Sequence, residues 1–224
     1  MKGGLIVLEG IDGSGKSTQY DLTCKKLKED GIDFTNIVFP RYDKESSALI
    51  RLYLGGAFGS HPDDVNAYTA SAFYAVDRFA SYRDDWGRLY ENNAFIFADR
   101  YTTSNFVHQG SKLPEDELEG FFSWLSDLEY KKMGLPVPDL VIYQDVTLEI
   151  AENRRHMREA EKGTKADIHE QDESYLAKCL RAADRACDYF GWKRIACQDE
   201  NGKVRGIEEK NEEIYQIIKN YLHG

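Results

Sequence analysis

The stretch Gly10-Ile11-Asp12-Gly13-Ser14-Gly15-Lys16-Ser17-Thr18 decides the reading of this chain. Gly10, Gly15, Lys16 and Ser17 occupy the defining positions of the phosphate-binding loop pattern G-x-x-x-x-G-K-[ST]. The context agrees with the motif. Leu5-Ile6-Val7-Leu8 precedes it as a short buried strand, and residues 18–29 follow with helical spacing that includes Leu22 and Leu27. Glycines let the backbone close around phosphate oxygens at positive φ. Successive N–H groups and the helix N-terminus then face the anion. Lys16 adds a positive charge for the outer phosphates, and the Ser17 hydroxyl is a magnesium ligand in such loops. The loop therefore points to a nucleoside triphosphate, and leaves open what becomes of its terminal phosphate.

Composition narrows the class. A chain of 224 residues is long enough for one three-layer α/β domain. A formal charge of −10 argues against a nucleic-acid or membrane partner, although cations focused in one cleft can still bind anions. Cys24, Cys179, Cys187 and Cys197 form no C-x-x-C pair and no metal spacing, which fits reduced thiols in a cytoplasmic protein. No apolar run approaches the roughly 20 residues needed to span a bilayer, and the N-terminus runs into a strand almost at once, so no signal peptide is expected.

Five apolar runs, 5–8, 36–39, 94–98, 140–143 and 194–197, read as strands separated by helical patterns. That alternation predicts a five-stranded parallel sheet covered by helices on both faces, with ligands at the carboxyl ends of the strands. Polar residues stand there: Glu9, Arg41, Asp99 with Arg100, Asp145 and Asp199. The segment 154–173 is rich in charge and poor in apolar residues, and reads as a mobile lid or a solvated loop, the lid being favoured in an enzyme that uses a nucleoside triphosphate, within a single domain spanning 1–224.

Further motifs follow in order. Phe39-Pro40-Arg41-Tyr42 leaves the second strand. Asp77-Arg78 closes a helical stretch that carries Phe73 and Tyr74. Asp99-Arg100-Tyr101 leaves the third strand, with Ser104, Asn105, His108 and Gln109 close behind, and Leu135-Pro-Val-Pro-Asp-Leu140 leads into the fourth. Together with Leu8-Glu9 and the phosphate loop, this set resembles the thymidylate kinases, P-loop nucleoside monophosphate kinases. The resemblance implies transfer of the γ-phosphoryl of ATP onto dTMP, giving dTDP and ADP, with Mg²⁺ as cofactor and a homodimer as the usual assembly.

The resemblance also implies residue roles. Residues 10–18 together with Arg154 and Arg155 would bind ATP, with Arg154 at the adenine. Arg100 would grip the acceptor phosphate and reach toward the donor, a task suited to a guanidinium fork. Asp12 would meet the acceptor phosphate, with a turn-stabilising role as its alternative. Ser17 and Asp99 would serve the metal, and Asp99 could also cap the following helix. Phe39, Arg41, Tyr42, Tyr74, Arg78, Ser104, Asn105, His108, Gln109 and Glu170 would surround dTMP. Tyr74 or Phe73 would stack on thymine, Arg78 would donate to a base carbonyl, and Asn105 would read the pyrimidine edge. Alternatively Arg78 would pair with Asp77 or Asp84. Gly13 stands where some relatives carry an arginine, so a lid cation, Arg158 or Arg155, is expected to serve the transition state.

Two other classes compete. Thr164-Lys165-Ala166-Asp167 matches the guanine-reading pattern of P-loop GTPases in letters, but it falls in the lid segment and Asp99 is not followed by D-x-x-G spacing. A deoxynucleoside kinase would need a general base for a 5′-hydroxyl and fewer phosphate-binding arginines. The set Arg41, Arg78 and Arg100 favours a monophosphate acceptor.

Overall fold

A computed structural model describes residues 2–162 and 174–224, with residues 158–162 described by their backbone alone. The sheet holds β1 (Gly4–Glu9), β2 (Thr35–Val38), β3 (Phe95–Asp99), β4 (Leu140–Asp145) and β5 (Lys193–Ala196), in the order β2-β3-β1-β4-β5. All four pairings are parallel, with Leu5 opposite Ile96, Ile6 opposite Leu140, Thr35 opposite Ile96 and Ile142 opposite Lys193. β1 sits at the centre, flanked on both edges and covered on both faces. This is why it reads as a continuous apolar run rather than an alternating one.

Alternate side chains of the strands point to opposite faces. Leu5, Val7, Ile96, Ala98, Val141 and Tyr143 pack with α5 (Thr102–His108), α6 (Leu118–Ser126) and α8 (Tyr175–Phe190) through Phe106, Phe121, Phe122, Ala182 and Ala186. Ile6, Leu8, Phe95, Phe97, Ile142 and Ile195 pack on the other face. There they meet α1 (Lys16–Glu29) through Tyr20 and Leu27, and α9 (Ile207–His223) through Ile214, Ile218 and Leu222. The expected three-layer α/β architecture and all five strands are thus present, their ends shifted by no more than two residues. The remaining helices are α2 (Ala48–Leu54), α3 (Ala67–Ser81), α4 (Gly87–Glu91) and α7 (Leu148–Lys162).

Three expectations about helix limits change. α1 begins at Lys16, two residues before 18, because Gly15 in a left-handed conformation (φ 86°) turns the chain directly into the helix. α3 runs three residues beyond Arg78, to Ser81, and continues into a π-helical turn over Tyr82–Trp86. The first part of the expected lid, 154–162, belongs to α7, while 163–173 lies outside the described residues, and with it the Thr164–Asp167 match.

Candidate active site

The carboxyl ends of β1 and β3 and the loops leaving them enclose a cavity of about 600 Å³. The phosphate loop forms one wall. Ser14 N–H donates to the carbonyl of Ile11 at 3.1 Å, closing the turn. The N-cap of α1 is Gly15, which has no side chain to cap the first turn, so the helix N-terminus is suited to an anion. Gly13, at φ 79°, is pressed against the start of α7: a Cβ there would lie 2.3 Å from the Ala151 carbonyl oxygen. Arg154, from α7, donates through Nη1 to the carbonyls of Ser14 at 3.0 Å and Gly13 at 3.4 Å. Arg154 and the buried Arg155 both line the cavity.

Lys16 is buried and pairs with Asp99 Oδ1 across the loop. Burial, and the neighbouring Arg100 charge, pull the Lys16 pKa below its ordinary value, while Asp99 and Glu9 resist the shift. Asp99 is engaged there and does not cap α5, whose N-cap is Tyr101 with no side-chain bond. The capping alternative for Asp99 is therefore set aside.

Arg100 leaves β3 at φ 67°, a left-handed conformation uncommon for a residue with a side chain. Its Nη2 donates to Asp12 Oδ1 at 2.9 Å, and its Nη1 lies 3.4 Å from Glu9 Oε1, 3.4 Å from Ser104 Oγ and 2.7 Å from His108 Nε2. Burial works against the Arg100 charge, but Asp12, Glu9 and Asp99 outweigh it and hold the pKa above that of a free guanidinium. Asp12 therefore takes an ion-pair role. Glu9, fully buried, accepts from Gly10 N–H at 2.9 Å, Thr103 Oγ1 at 2.7 Å and Ser104 Oγ at 2.7 Å. One carboxylate thus ties the mouth of the phosphate loop to Arg100 and the first turn of α5.

Beyond Arg100 the wall is mixed apolar and polar. Phe39, Tyr42, Tyr74, Arg78, Ser104, Asn105, His108 and Gln109 all line the cavity. Tyr74 rather than Phe73 faces it. Phe73 packs against Tyr53 and Phe58, with ring centroids 6.4 and 5.7 Å apart. Phe39 serves both as lining and as core, 6.0 Å from the Tyr101 ring. Gln109 is almost wholly buried, and among the described residues its Oε1 has no hydrogen-bond partner. His108 Nδ1 lies 2.7 Å from Tyr175 Oη.

Arg78 pairs with neither Asp77 nor Asp84. Its Nε and Nη2 grip Glu129 in a fork at 2.7 and 2.5 Å, with both side chains buried. Burial disfavours the Arg78 charge, and Glu129 overcomes that and raises the pKa. Arg41 stands outside the cavity lining. Its N–H and Nε donate to Asp77 at 2.9 and 3.4 Å, Nη1 pairs with Asp85, and Nη2 donates to Ser46 Oγ at 3.0 Å. Two carboxylates on and just beyond α3 hold it against that helix. Gly10 and Ser14 are also outside the lining, Gly10 turned to Glu9 and Ser14 buried beneath the loop. The Arg158 side chain and all of Glu170 lie outside the described residues.

Sequence reasoning missed Pro40, Leu54, Tyr101 and Tyr175 among the lining residues. Pro40 and Tyr101 sit inside motifs already singled out, so adjacency could have found them. Tyr175 opens α8, and Leu54 ends α2, with no local signal.

For a divalent cation the Ser17 hydroxyl and the Asp99 carboxylate both line the cavity as hard oxygen donors, and among the described residues there is no cluster of three or more His, Cys, Asp or Glu side chains. That set fits Mg²⁺, which usually takes one or two protein oxygens and completes its octahedron with water and phosphate.

Comparison with known proteins agrees with this geometry. The family model described as "Thymidylate kinase" matches residues 8–219. The chain is 28% identical to a thymidylate kinase of Mycobacterium tuberculosis over 170 residues, covering 75% of this chain and 78% of that protein. It is 27% identical to a thymidylate kinase of Prochlorococcus marinus over 225 residues, covering 98% and 100%. A probable thymidylate kinase of Methanococcus maripaludis is 33% identical over 159 residues, covering 70% and 67%. Among solved structures, a thymidylate kinase from Candida albicans superposes with a TM-score of 0.69 at 20% identity, covering 98% of this chain and 92% of that one, a likeness of fold. With the motif order, the parallel sheet and a match over nearly its whole length in agreement, the chain belongs to the thymidylate kinase family, ATP-dependent nucleoside monophosphate kinases.

Proposed function

We propose a division of labour for the γ-phosphoryl transfer from ATP to dTMP. The N–H groups opening α1 and the Lys16 ammonium hold the β- and γ-phosphates. Arg154 and Arg155 close the donor side. Arg100 grips the dTMP phosphate, and Asp12 and Glu9 hold its guanidinium in place. A dTMP phosphate oxygen attacks the γ-phosphorus in line while the bond to the β-phosphate oxygen breaks, giving dTDP and ADP. The acceptor is already largely ionised near neutral pH, so no strong base is required, and the burden falls on positioning and charge stabilisation. Ser17 and Asp99 would hold Mg²⁺, which when bound neutralises charge on the β- and γ-phosphates. Tyr74, Arg78 and Asn105 receive the thymine.

The observation that carries this reading is that Lys16 and Arg100 face one cavity, close enough for the Arg100 charge to depress the Lys16 pKa. A coupled ADP-release assay with dTMP and thymidine as alternative acceptors tests it. Turnover is expected with dTMP, and a preference for thymidine would instead make the chain a deoxynucleoside kinase.

Asn105→Ala is expected to raise the KM for dTMP about tenfold, the scale of one or two lost hydrogen bonds in a buried site, while the KM for ATP stays within about twofold. Steady-state kinetics varying each substrate reads this directly. Equal losses for both would remove Asn105 from base recognition.

Further parts of the reading concern context. The chain acts as a single domain, in the cytoplasm and as a homodimer. Among the described residues no helix is long and apolar enough to cross a membrane. Leu49 and Leu52 on α2, with Val76 and Phe79 on α3, are exposed at i, i+3 spacing and give a second copy an apolar face to cover. Sedimentation velocity at micromolar concentration distinguishes dimer from monomer.

A further inference from the structure

Glu129 does not touch the cavity, yet it governs what two cavity residues can offer. It is fully buried on the π-helical turn Asp127–Lys132 that follows α6. Its Oε2 accepts from Arg78 Nε and from Thr102 Oγ1, both at 2.7 Å. Its Oε1 accepts from Arg78 Nη2 at 2.5 Å and from Asn105 Nδ2 at 3.5 Å. The fork uses Arg78 Nε and Nη2. Nη1 makes only a 3.5 Å approach to the Tyr101 carbonyl.

Asn105 is constrained in the same way. Its Nδ2 also donates to the Ser71 carbonyl at 3.2 Å. Both partners of that nitrogen are acceptors. Turning the amide over would set Oδ1 against a carbonyl oxygen and a carboxylate, so repulsion fixes the orientation. The amide hydrogens are thereby spent inside the protein. Arg78 and Asn105 both line the cavity, and what they have left for it is a guanidinium donor and an amide oxygen acceptor.

We propose that Glu129 is a positioning residue that sets base preference: by occupying one side of Arg78 and, together with the Ser71 carbonyl, the amide hydrogens of Asn105, it presents the acceptor nucleotide with a donor beside an acceptor. That pair complements a ring carbonyl next to a ring N–H, as in thymine. It opposes an exocyclic amine next to an unprotonated ring nitrogen, as in cytosine, where donor would meet donor and acceptor would meet acceptor. The inference deepens the dTMP reading and rests on it.

The test uses the full-length enzyme with dTMP and dCMP as competing acceptors, and reads kcat/KM for each, the KM for ATP and the thermal midpoint. Glu129→Gln replaces one carboxylate oxygen with an amide nitrogen that cannot accept from Arg78 or Asn105. The dTMP-over-dCMP preference is expected to fall by about tenfold or more, with the KM for ATP within about twofold. Thr102→Val removes one hydroxyl hydrogen bond to the Oε2 carboxylate and leaves the charge pair in place. It is expected to lower the same preference by about threefold in a variant that still melts cooperatively. A preference unchanged in Thr102→Val overturns the proposal even if Glu129→Gln fails to fold. Parallel losses for dTMP and ATP also overturn it, since a purely structural role would produce them. A wild-type enzyme inert toward dTMP brings down the functional reading, and this inference with it.

Discussion

Arg100→Ala is expected to lower kcat by about 10³-fold or more, the scale on which a single arginine acts in phosphoryl transfer, while ATP affinity changes by no more than about threefold. The split follows from where Arg100 sits. Among the described residues its side chain makes no bond to the phosphate-loop backbone, and its bonds go to the side chains of Asp12, Glu9, Ser104 and His108. Its loss therefore spares the α1 N–H groups and the Lys16–Asp99 pair. The fold should survive. Glu9 keeps Gly10 N–H, Thr103 and Ser104 as donors, so the loss of a charged partner costs about 1–3 kcal/mol. Alanine offers no relief of the left-handed backbone at 100, whereas Arg100→Gly would. Comparing the two variants by thermal melting separates backbone strain from lost contacts. Single-turnover kinetics with saturating ATP is the decisive measurement, and turnover above about a tenth of wild type would remove Arg100 from the reacting centre.

Lys16→Met is expected to lower kcat/KM for ATP by about 10²–10³-fold, the usual cost of removing one preorganised donor from developing charge. It also carries a stability cost. Lys16 and Asp99 side chains are only 6% and 11% exposed, and removing one partner of such a pair leaves an uncompensated buried charge worth about 3–5 kcal/mol. Part of that is returned, because the lysine itself is held against its preference in a site that depresses its pKa. Methionine keeps the stem volume, so the loss reports charge rather than a cavity. Isothermal titration with an ATP analogue and a thermal melt read the two effects separately. Unaltered ATP affinity in a folded variant would refute the cradle assignment.

The phosphate-loop half of this site was legible because its determinants are local. Strand, glycine turn, Lys16 and helix lie within one uninterrupted stretch, and each element restricts the next. Asp99 and Arg100 were legible for a related reason: a strand end places them at the ligand edge of a parallel sheet whatever the helices do. Partner choice was not legible. Arg78 had acidic neighbours at 77 and 84, yet its partner is Glu129, supplied by an irregular turn that no periodicity marks. Arg41 shows the converse. Its motif pointed to the cavity, but Asp77 and Asp85 come within reach only once α3 is folded beside it. Sequence pattern says which residues stand at the sheet edge. It does not say which of 39 acidic side chains ends beside which arginine.

The near-contact between Gly13 and Ala151 has a consequence for any redesign of the loop. With 2.3 Å separating a hypothetical Cβ from that carbonyl oxygen, any side chain at 13 becomes a wedge that must pry α7 outward. Moving a cation into the loop and keeping this helix seated where Arg154 can touch the loop carbonyls are spatially exclusive. A side chain at 13 in this chain therefore calls for a paired change, one in the glycine turn and one in the seating of the helix.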